Sequence, residues 1–282
     1  MAKVPVTTHA IHYGTSIFEG IRAYWNSKSL YVFRLKDHIK RFRNSGKFYN
    51  IRLNFSDKQI ENAVIDLCKK NKIKKSCYIR PFYFVGQYGI NFHVTQKAPT
   101  HTAIFAFPFG DLFNKSGITA TISKWRKFSD MSTPTQAKMG GNYLNSILAT
   151  QDAKQRGFDE AILLDQSGNV SEAPGENIFL VKNDELVTPP LSSSALDGIT
   201  RRTIITLAKD MNLKIKVQKV SKKELKLADE IFLSGTAAEI TPIIKIDKKK
   251  IGNEEVGNIT KLFMATYSDI VMNKNENYSH WL

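Results

Sequence analysis

The chain has 282 residues, of which 42% are hydrophobic and 24% are charged, a composition typical of a soluble globular enzyme with one or two domains. Its 41 Lys and Arg residues exceed its 26 Asp and Glu residues, giving a net charge of +15, but the basic residues are scattered rather than gathered in a tail. A lysine-rich solvated surface therefore explains the charge better than a nucleic-acid site does.

The sequence contains two cysteines, no CxxC motif, and no apolar run approaching the about 18–20 residues of a membrane-spanning helix. The N-terminal residues lack the charged start and apolar core of a signal peptide. His9 and His12 have no acidic or cysteine partners nearby in the sequence, so we expect no metal site. Together these patterns predict a cytoplasmic protein without a membrane partner.

The N-terminal part of the chain predicts short strands alternating with helices. The run SLYVFRL predicts a strand, and Leu35, Ile39 and Phe42 follow at helical spacing, which indicates one buried helix face. Ser56 and Gln59 form a capping-box pattern that begins a second helix. The runs SCYIRPFYFVG and THTAIFAFPFG are rich in β-branched and aromatic residues and predict two further strands.

The polar, turn-rich segment 111–117, DLFNKSG, predicts a linker between a small domain at 1–110 and a large domain at 118–282. The large domain is predicted to contain a helix from about Asn142 to Arg156, further helices, and several short strands that include LKIKVQKV and DEIFLSG. Because helices and strands mix without strict βαβ alternation, we expect an α/β or α+β fold in two lobes.

Lys138 lies between small residues in the segment PTQAKMGGNYLNS, just before a predicted helix. A lysine amine can form a Schiff base with a carbonyl cofactor, and a tyrosine and a carboxylate can tune the ring of such a cofactor. Tyr143 and Glu172 are candidates for these two groups, Tyr143 at the ring oxygen and Glu172 at the ring nitrogen, which a nearby anion keeps protonated. The three residues together predict pyridoxal 5'-phosphate (PLP) as a cofactor, although each alone has a plain structural explanation.

Candidate phosphate-binding groups occur in two later segments. In SSSALDGITRR a helix is predicted to start near Thr200, which would direct the N–H groups of Ile199 and Thr200 at an anion. A plain helix cap needs the same residue types. Thr236 in SGTAAEITP offers a second turn with a hydroxyl and free amides, and Arg41 could add a guanidinium suited to phosphate.

Six motifs in order and spacing resemble the branched-chain amino acid aminotransferases of PLP fold type IV, from about Thr8 to the C-terminus. They are YGTSIFEGIR, YIRPFYFVG, AKMGGNYLNS, SEAPGENIF, SSALDGITR and SGTAAEITP. The resemblance implies a two-lobed fold like that of D-amino acid aminotransferases and a homodimer or higher homo-oligomer. It implies transamination of L-leucine, L-isoleucine and L-valine with 2-oxoglutarate, giving branched 2-oxo acids and L-glutamate.

The same resemblance implies roles for individual residues. The cofactor would be held by Lys138, Tyr143, Glu172, Arg41, Ile199, Thr200 and Thr236. The substrate α-carboxylate would be bound by Tyr78 and the Thr236–Ala237 turn, and an apolar pocket would be shaped by Tyr13, Phe18 and Gly20. Arg22 and Arg80 would lie at the pocket edge, where one could bind the distal carboxylate of glutamate.

Two departures from the family pattern and two rival functions follow from the sequence. The chain begins where family members carry one or two more strands, so we expect a shortened N-terminal lobe. Leu112 and Phe109 stand where other aromatic residues are usual.

A D-amino acid aminotransferase or an aminodeoxychorismate lyase on the same fold is the first rival, against which Arg22 and the SGTAAEITP turn argue. A basic nucleic-acid-binding protein without catalysis is the second.

Overall fold

The computed structural model describes residues 3–282, which form two compact units. Unit 1 comprises the described residues up to Gly110 together with Ala137–Tyr143 and Val271–Leu282, whereas unit 2 comprises Asp111–Gln136 and Leu144–Ile270. Residues 1 and 2, which the predicted first domain includes, lie outside the described residues.

These units depart from the linear division predicted from the sequence in two segments. Residues 137–143 belong to unit 1, where the N–H of Phe18 donates to the carbonyl oxygen of Lys138 at 3.2 Å. The C-terminal segment also belongs to unit 1, because the N–H of Arg34 donates to the carbonyl oxygen of Trp281 at 2.6 Å and the Arg34 guanidinium lies over the indole ring. Both contacts join residues that are far apart in the chain. A division of the sequence at one linker cannot place such residues in the same unit.

Unit 1 is built on a five-stranded antiparallel sheet. Its strands are β1 (Ser16–Phe18), β2 (Ile21–Trp25), β3 (Leu30–Val32), β4 (Cys77–Val85) and β5 (Thr100–Pro108), and its helices are α1 (His9–Tyr13), α2 (Leu35–Lys47) and α3 (Asp57–Lys70). Strand β4 pairs with β5 along one edge. Along its other edge β4 pairs with both β1 and β2, and β3 pairs with the opposite edge of β2. The predicted capping box of Ser56 and Gln59 is confirmed at the start of α3.

Strand β4 has two faces of different character because its side chains alternate. Ile79, Tyr83 and Val85 are fully buried in a core that α2 and α3 complete. Arg80 and Phe82 lie on the opposite face and are only half-buried. One face of β4 therefore holds unit 1 together, and the other is available for polar chemistry.

Unit 2 is built on an eight-stranded mixed sheet in the order β10-β9-β8-β11-β12-β6-β7, with β13 paired to β12. Its strands are β6 (Ile118–Arg126), β7 (Glu160–Leu164), β8 (Asn177–Lys182), β9 (Glu185–Thr188), β10 (Ile215–Val217), β11 (Glu230–Gly235), β12 (Glu239–Ile246) and β13 (Lys249–Lys250). The helices are α4 (Tyr143–Gln155), α5 (Ile199–Asp210), α6 (Lys222–Leu227) and α7 (Asn258–Val271). The alternating run LKIKVQKV forms only the three residues of β10, which has a single parallel partner, β9.

Within residues 3–282, no helix combines the length and the hydropathy that crossing a membrane requires. The same residues contain no group of three or more His, Cys, Asp or Glu side chains placed to hold a metal ion. His9 and His12 instead make hydrogen bonds to Thr15 Oγ1 and to the carbonyl oxygen of Val6, each at 2.8 Å. The mixed α/β composition agrees with the fold class expected from the sequence.

Candidate active site

Lys138 precedes the short 3-10 turn Gly140–Asn142 that leads into α4. Its Nζ lies 2.6 Å from the hydroxyl of Tyr143, and its main-chain N–H donates to Ser45 Oγ at 3.0 Å. Burial lowers the pKa of Lys138 to about 8, and the positive charge of Arg41 contributes to this lowering. Near neutral pH this amine is therefore deprotonated far more often than an ordinary lysine, and the deprotonated amine is the nucleophile.

Aromatic and polar side chains of β1 and β4 surround Lys138. Its Nζ lies 5.0 Å from the ring centre of Phe18, and that ring packs edge-on against Tyr143 with centroids 4.8 Å apart. The Arg80 guanidinium carbon lies 4.5 Å from the centre of the same Phe18 ring, and Arg80 donates to the hydroxyl of Tyr78 at 2.7 Å. The structure thus brings Lys138, Tyr143, Phe18, Tyr78 and Arg80 into one group in unit 1.

The absence of a side chain at Gly20 leaves room for the Tyr78 ring beside Arg80 and Phe18. A Cβ atom on Gly20 would lie 2.1 Å from the Tyr78 hydroxyl, so any larger residue would displace the phenol ring. Arg22 is buried beside the group, with its guanidinium over the rings of Tyr24 and Phe109 at 5.1 and 5.3 Å. Gly20 and Arg22 therefore border the predicted pocket.

Tyr13 lies in a different aromatic group of unit 1. Its ring contacts are with His9, His12 and Phe92, at centroid distances of 4.5, 6.2 and 5.1 Å. Phe92 is 80% exposed and neighbouring Ile90 is 84% exposed. Among the predicted pocket residues of unit 1, Tyr13 is the one set apart from Phe18.

Arg41 is held by a buried acidic residue that the sequence reasoning missed. Its Nε and one terminal nitrogen donate to the two carboxylate oxygens of Glu19 at 2.6 and 2.8 Å. His38 Nδ1 lies 2.8 Å from Glu19 Oε2. Burial raises the pKa of Glu19, but the charge of Arg41 and the hydrogen bonds from Arg41 and His38 outweigh this and hold it well below its usual range. A signal was present in the sequence, because Glu19 lies within the FEGIR motif and the two basic residues are three positions apart on one helix.

In unit 2 the carboxylate of Glu172 has polar partners at both oxygens. Lys127 Nζ lies 2.7 Å from Oε1, whereas Asn177 Nδ2 and the N–H of Leu196 donate to Oε2 at 3.1 and 2.9 Å. Glu172 and Lys127 are both buried. No local pattern in the sequence points to Lys127, because this pairing depends on how the chain folds.

The predicted helix N-terminus is present in unit 2. Gly198 is the N-cap of α5, and Ile199 and Thr200 are buried in its first turn. A Cβ atom on Gly198 would lie 2.0 Å from Asn177 Oδ1, so glycine is needed for the close approach of these two segments. Since Asn177 also donates to Glu172, the carboxylate and the helix N-terminus are fixed to each other within unit 2.

Thr236 and Ala237 form the turn between β11 and β12 and are half-buried. Lys115, from the segment predicted as a linker, stabilises this turn by donating to the carbonyl oxygen of Ala238 at 3.1 Å and to Glu239 Oε2 at 2.9 Å. A Cβ atom on Gly235 would lie 3.2 Å from Glu176 Cγ, which places the turn beside the segment that follows Glu172. The two predicted anion-binding turns and Glu172 therefore occupy one region of unit 2.

Comparisons with known proteins agree with the motif resemblance. Residues 16–246 match the family described as Amino-transferase class IV. The branched-chain-amino-acid aminotransferase of Salmonella typhimurium is 42% identical over 285 aligned residues, covering 100% of this chain and 92% of the relative.

Two solved structures have nearly the same fold. The branched-chain amino acid aminotransferase of Escherichia coli superposes with a TM-score of 0.96 at 42% identity, covering 99% of this chain and 93% of that one. The T.th. branched-chain amino acid aminotransferase complexed with N-(5'-phosphopyridoxyl)-L-glutamate has a TM-score of 0.95 at 38% identity, covering 99% and 92%. By motif, sequence and fold, this chain belongs to the class IV aminotransferase family.

Proposed function

We propose that the chain is a PLP-dependent branched-chain-amino-acid aminotransferase. It transfers the amino group of L-leucine, L-isoleucine or L-valine to 2-oxoglutarate, forming branched 2-oxo acids and L-glutamate. The observation that carries the proposal is the Lys138 amine, whose pKa of about 8 and 2.6 Å approach to the Tyr143 hydroxyl suit a nucleophile and proton carrier. Membership in the family and 42% identity to a branched-chain enzyme over the whole chain support the substrate class.

The residues present fit the cofactor. Lys138 would be its covalent attachment point, the Tyr143 hydroxyl would pair with the ring oxygen, and Glu172 would pair with the ring nitrogen. The candidate phosphate-binding groups are Arg41, the Ile199 and Thr200 N–H groups, and Thr236. When bound, PLP supplies an electron-accepting ring that stabilises negative charge at the substrate α-carbon.

Lys138 has two tasks in this proposal. It would hold the cofactor, and as a free amine it would move a proton to and from the α-carbon of the substrate. The lowered pKa suits this exchange, because an amine that titrates near pH 8 both accepts and releases protons readily under neutral conditions.

Tyr78 and the Thr236–Ala237 turn are assigned to the substrate α-carboxylate. Phe18 and Gly20 supply an apolar wall for a branched side chain, and Arg80 or Arg22 binds the distal carboxylate of glutamate. Support for this dual use comes from the ligand of the T.th. enzyme, whose name contains both a phosphopyridoxyl and a glutamate part. The cation–π contacts of Arg80 with Phe18 and Tyr78 keep its charge beside the apolar wall.

We also propose a cytoplasmic homodimer or higher homo-oligomer. The exposed Ile90 and Phe92 support a protein contact at this part of unit 1. Tyr13, which packs on Phe92, would then contribute to a pocket only in an assembly of two copies. The free Cys68 and Cys77 suit a reducing compartment.

Reductive trapping tests the cofactor assignment. Purified protein incubated with PLP should show visible absorption that borohydride abolishes, and peptide mapping should place the reduced label on Lys138. A label on any other lysine contradicts the proposal.

Turnover of L-leucine with 2-oxoglutarate tests the substrate assignment. The same preparation should be assayed with D-alanine and with aminodeoxychorismate, the substrates of the two sister activities on this fold. Faster turnover of either one than of L-leucine would transfer the assignment to that activity. Light scattering of the loaded protein measures the oligomeric state independently.

A further inference from the structure

Glu19 is a fully buried carboxylate between β1 and β2 that has no assigned role in transamination. It accepts two parallel hydrogen bonds from Arg41 and lies within hydrogen-bond distance of His38 Nδ1. Burial lowers the pKa of His38, so we take this imidazole as neutral, with its Nδ1–H donating to Glu19. Glu19 is thus the shared acceptor of two side chains from α2.

Helix α2 joins this acceptor to the lysine. His38, Arg41 and Ser45 are three and four positions apart and therefore lie on one face of α2. Ser45 Oγ accepts the main-chain N–H of Lys138 at 3.0 Å. The guanidinium of Arg41 and the backbone of Lys138 are therefore located by the same helix face, and Glu19 fixes the plane of the guanidinium.

The charges give Glu19 a second effect. Arg41 and Lys138 are both basic and partly or wholly removed from solvent, and the positive charge of Arg41 lowers the pKa of Lys138. Glu19 acts in the opposite sense and raises that pKa. One buried anion therefore offsets the repulsion between two basic groups that the proposed function requires close together.

We infer, resting on the proposed function, that Glu19 is a positioning residue that aims the Arg41 guanidinium at the cofactor phosphate, with His38 as its support. A glutamine at this position can accept through only one oxygen, and its amide NH2 would face the guanidinium N–H groups. Arg41 would then lose its bidentate partner and its fixed orientation. The chemistry recognised through Glu19 is specifically that of the phosphate, not of the pyridoxal ring.

Equilibrium binding of PLP and of pyridoxal to the apoprotein separates recognition of the phosphate from recognition of the ring, because pyridoxal lacks the phosphate. In Glu19→Gln we expect PLP to bind at least about tenfold more weakly, the size of losing one charge-assisted hydrogen bond, while pyridoxal binding changes by less than about threefold. Equal weakening of both ligands would mean a general structural role and would overturn the inference. Unchanged or tighter PLP binding would also overturn the inference, because Arg41 would then not need Glu19 in order to bind the phosphate.

Glu160→Gln is the matched control. Glu160 is also a buried carboxylate, but it lies in unit 2 and accepts from a main-chain N–H rather than from an arginine. This isosteric change should leave both affinities unaltered. If Glu160→Gln weakened PLP as much as Glu19→Gln, the effect would not be specific to Arg41 and the inference would fail.

A double-mutant cycle provides the decisive comparison. In an Arg41→Gln background, Glu19→Gln should cause no further change in the ratio of PLP to pyridoxal affinity. An additive effect would show that Glu19 does not act through Arg41. If Glu19→Gln fails to fold, His38→Asn is the alternative variant, because it keeps the carboxylate. We expect it to cause a smaller loss of affinity that is still confined to PLP. An equal loss of affinity for pyridoxal would reject the inference.

The outcome is distinguishable from failure of the proposed function. If wild-type protein does not trap PLP on Lys138, the proposed function itself is wrong. If it does, and the phosphate-dependent loss is absent in Glu19→Gln, only the role of Glu19 is rejected.

Discussion

The two units present their candidate site residues in different ways. In unit 1 the arrangement depends on bonds between side chains, such as Arg41 with Glu19, Lys138 with Tyr143, and Arg80 with Tyr78. In unit 2 it depends more on the backbone. Glu172 accepts from the N–H of Leu196, and the candidate anion-binding groups lie at a helix N-terminus and in a hairpin turn.

This difference predicts different sensitivities to mutation. Isosteric removal of a charge should damage unit 1 most, because its geometry is set by charge-assisted hydrogen bonds. Addition of a single carbon should damage unit 2 at Gly198, where a Cβ atom would overlap Asn177 Oδ1, as it should damage unit 1 at Gly20, where a Cβ atom would overlap the Tyr78 hydroxyl. Glu172 is an informative exception, since this residue of unit 2 also has a charged partner in Lys127.

Removal of the Lys138 amine should have the largest effect. Lys138→Ala deletes the proposed attachment point and proton carrier, so we expect transamination to fall by about 10⁴-fold or more. Initial rates of 2-oxo acid formation measure this. Lys58→Ala removes an exposed lysine of unit 1 and should keep wild-type rates. Activity in Lys138→Ala within about a hundredfold of wild type, the low end of what a proton-transfer group contributes, would contradict the assignment.

Glu172→Gln should destabilise the fold as well as impair catalysis. It leaves the buried Lys127 cation without its carboxylate, and loss of one partner of a buried pair typically costs about 3–5 kcal/mol. The free energy of unfolding of the apoprotein in urea measures this cost. Lys127→Met in the same background should recover part of the loss, whereas a double variant no more stable than Glu172→Gln would argue against a buried-charge cost.

Gly198→Ala tests the backbone sensitivity of unit 2. Its Cβ atom would overlap Asn177 Oδ1, so Asn177 must move away from Glu172, and we expect a loss of about 1–3 kcal/mol together with weaker PLP binding. Gly175→Ala is the matched control, since a Cβ atom there has no neighbour within 4 Å. Equal urea midpoints for the two variants would contradict the close approach.

Glu160 contrasts with Glu19, because burial raises the pKa of Glu160 to about 7 whereas the pKa of Glu19 is lowered. The folded protein therefore retains a proton on Glu160 between about pH 4.5, its ordinary value, and pH 7. Stability falls as the pH rises through this window. Glu160→Gln should be more stable than wild type by about 3 kcal/mol at about pH 8 and nearly equal to it at about pH 4. Thermal melts at the two pH values measure the gain; an equal gain at both would contradict the titration.

The two capping boxes offer the smallest and most closely matched comparison. Ser56 begins α3 in unit 1, and Ser221 begins α6 in unit 2, each with a reciprocal pair of hydrogen bonds. Ser56→Ala and Ser221→Ala should each cost about 1 kcal/mol. If the two units unfold in separate transitions, each variant should shift only one of them, as calorimetry would detect. A common shift in both variants would indicate one cooperative transition.

Local patterns in the sequence predicted much of the fold. The Ser56 capping box occurs where its cap residues place it, and the strands β4 and β5 occur where their β-branched and aromatic residues place them. The pattern of LKIKVQKV predicted a longer strand than β10, because alternation records a tendency whereas strand length depends on the available partner. The C-terminal contact of Arg34 with Trp281 has no local signature at all.

The candidate site was predictable where motifs carry it and not where folding creates it. Lys138 and Tyr143 belong to one motif, five positions apart, and their side chains lie 2.6 Å from each other. Glu19 is 22 residues from Arg41, so only the fold joins them. Tyr13 was grouped with Phe18 by resemblance, but its ring packs instead against His9 and Phe92. Sequence motifs name the chemical groups better than they name the neighbours that orient them.

The alternation of β4 has a consequence for how this protein can change. Its core residues, such as Ile79 and Tyr83, and the residues of its other face, such as Arg80, belong to opposite sides of one strand. Under the proposed function, substitutions at Arg80 can therefore change substrate preference without altering the packing that Ile79 and Tyr83 maintain. Within this single strand, the two properties can evolve separately.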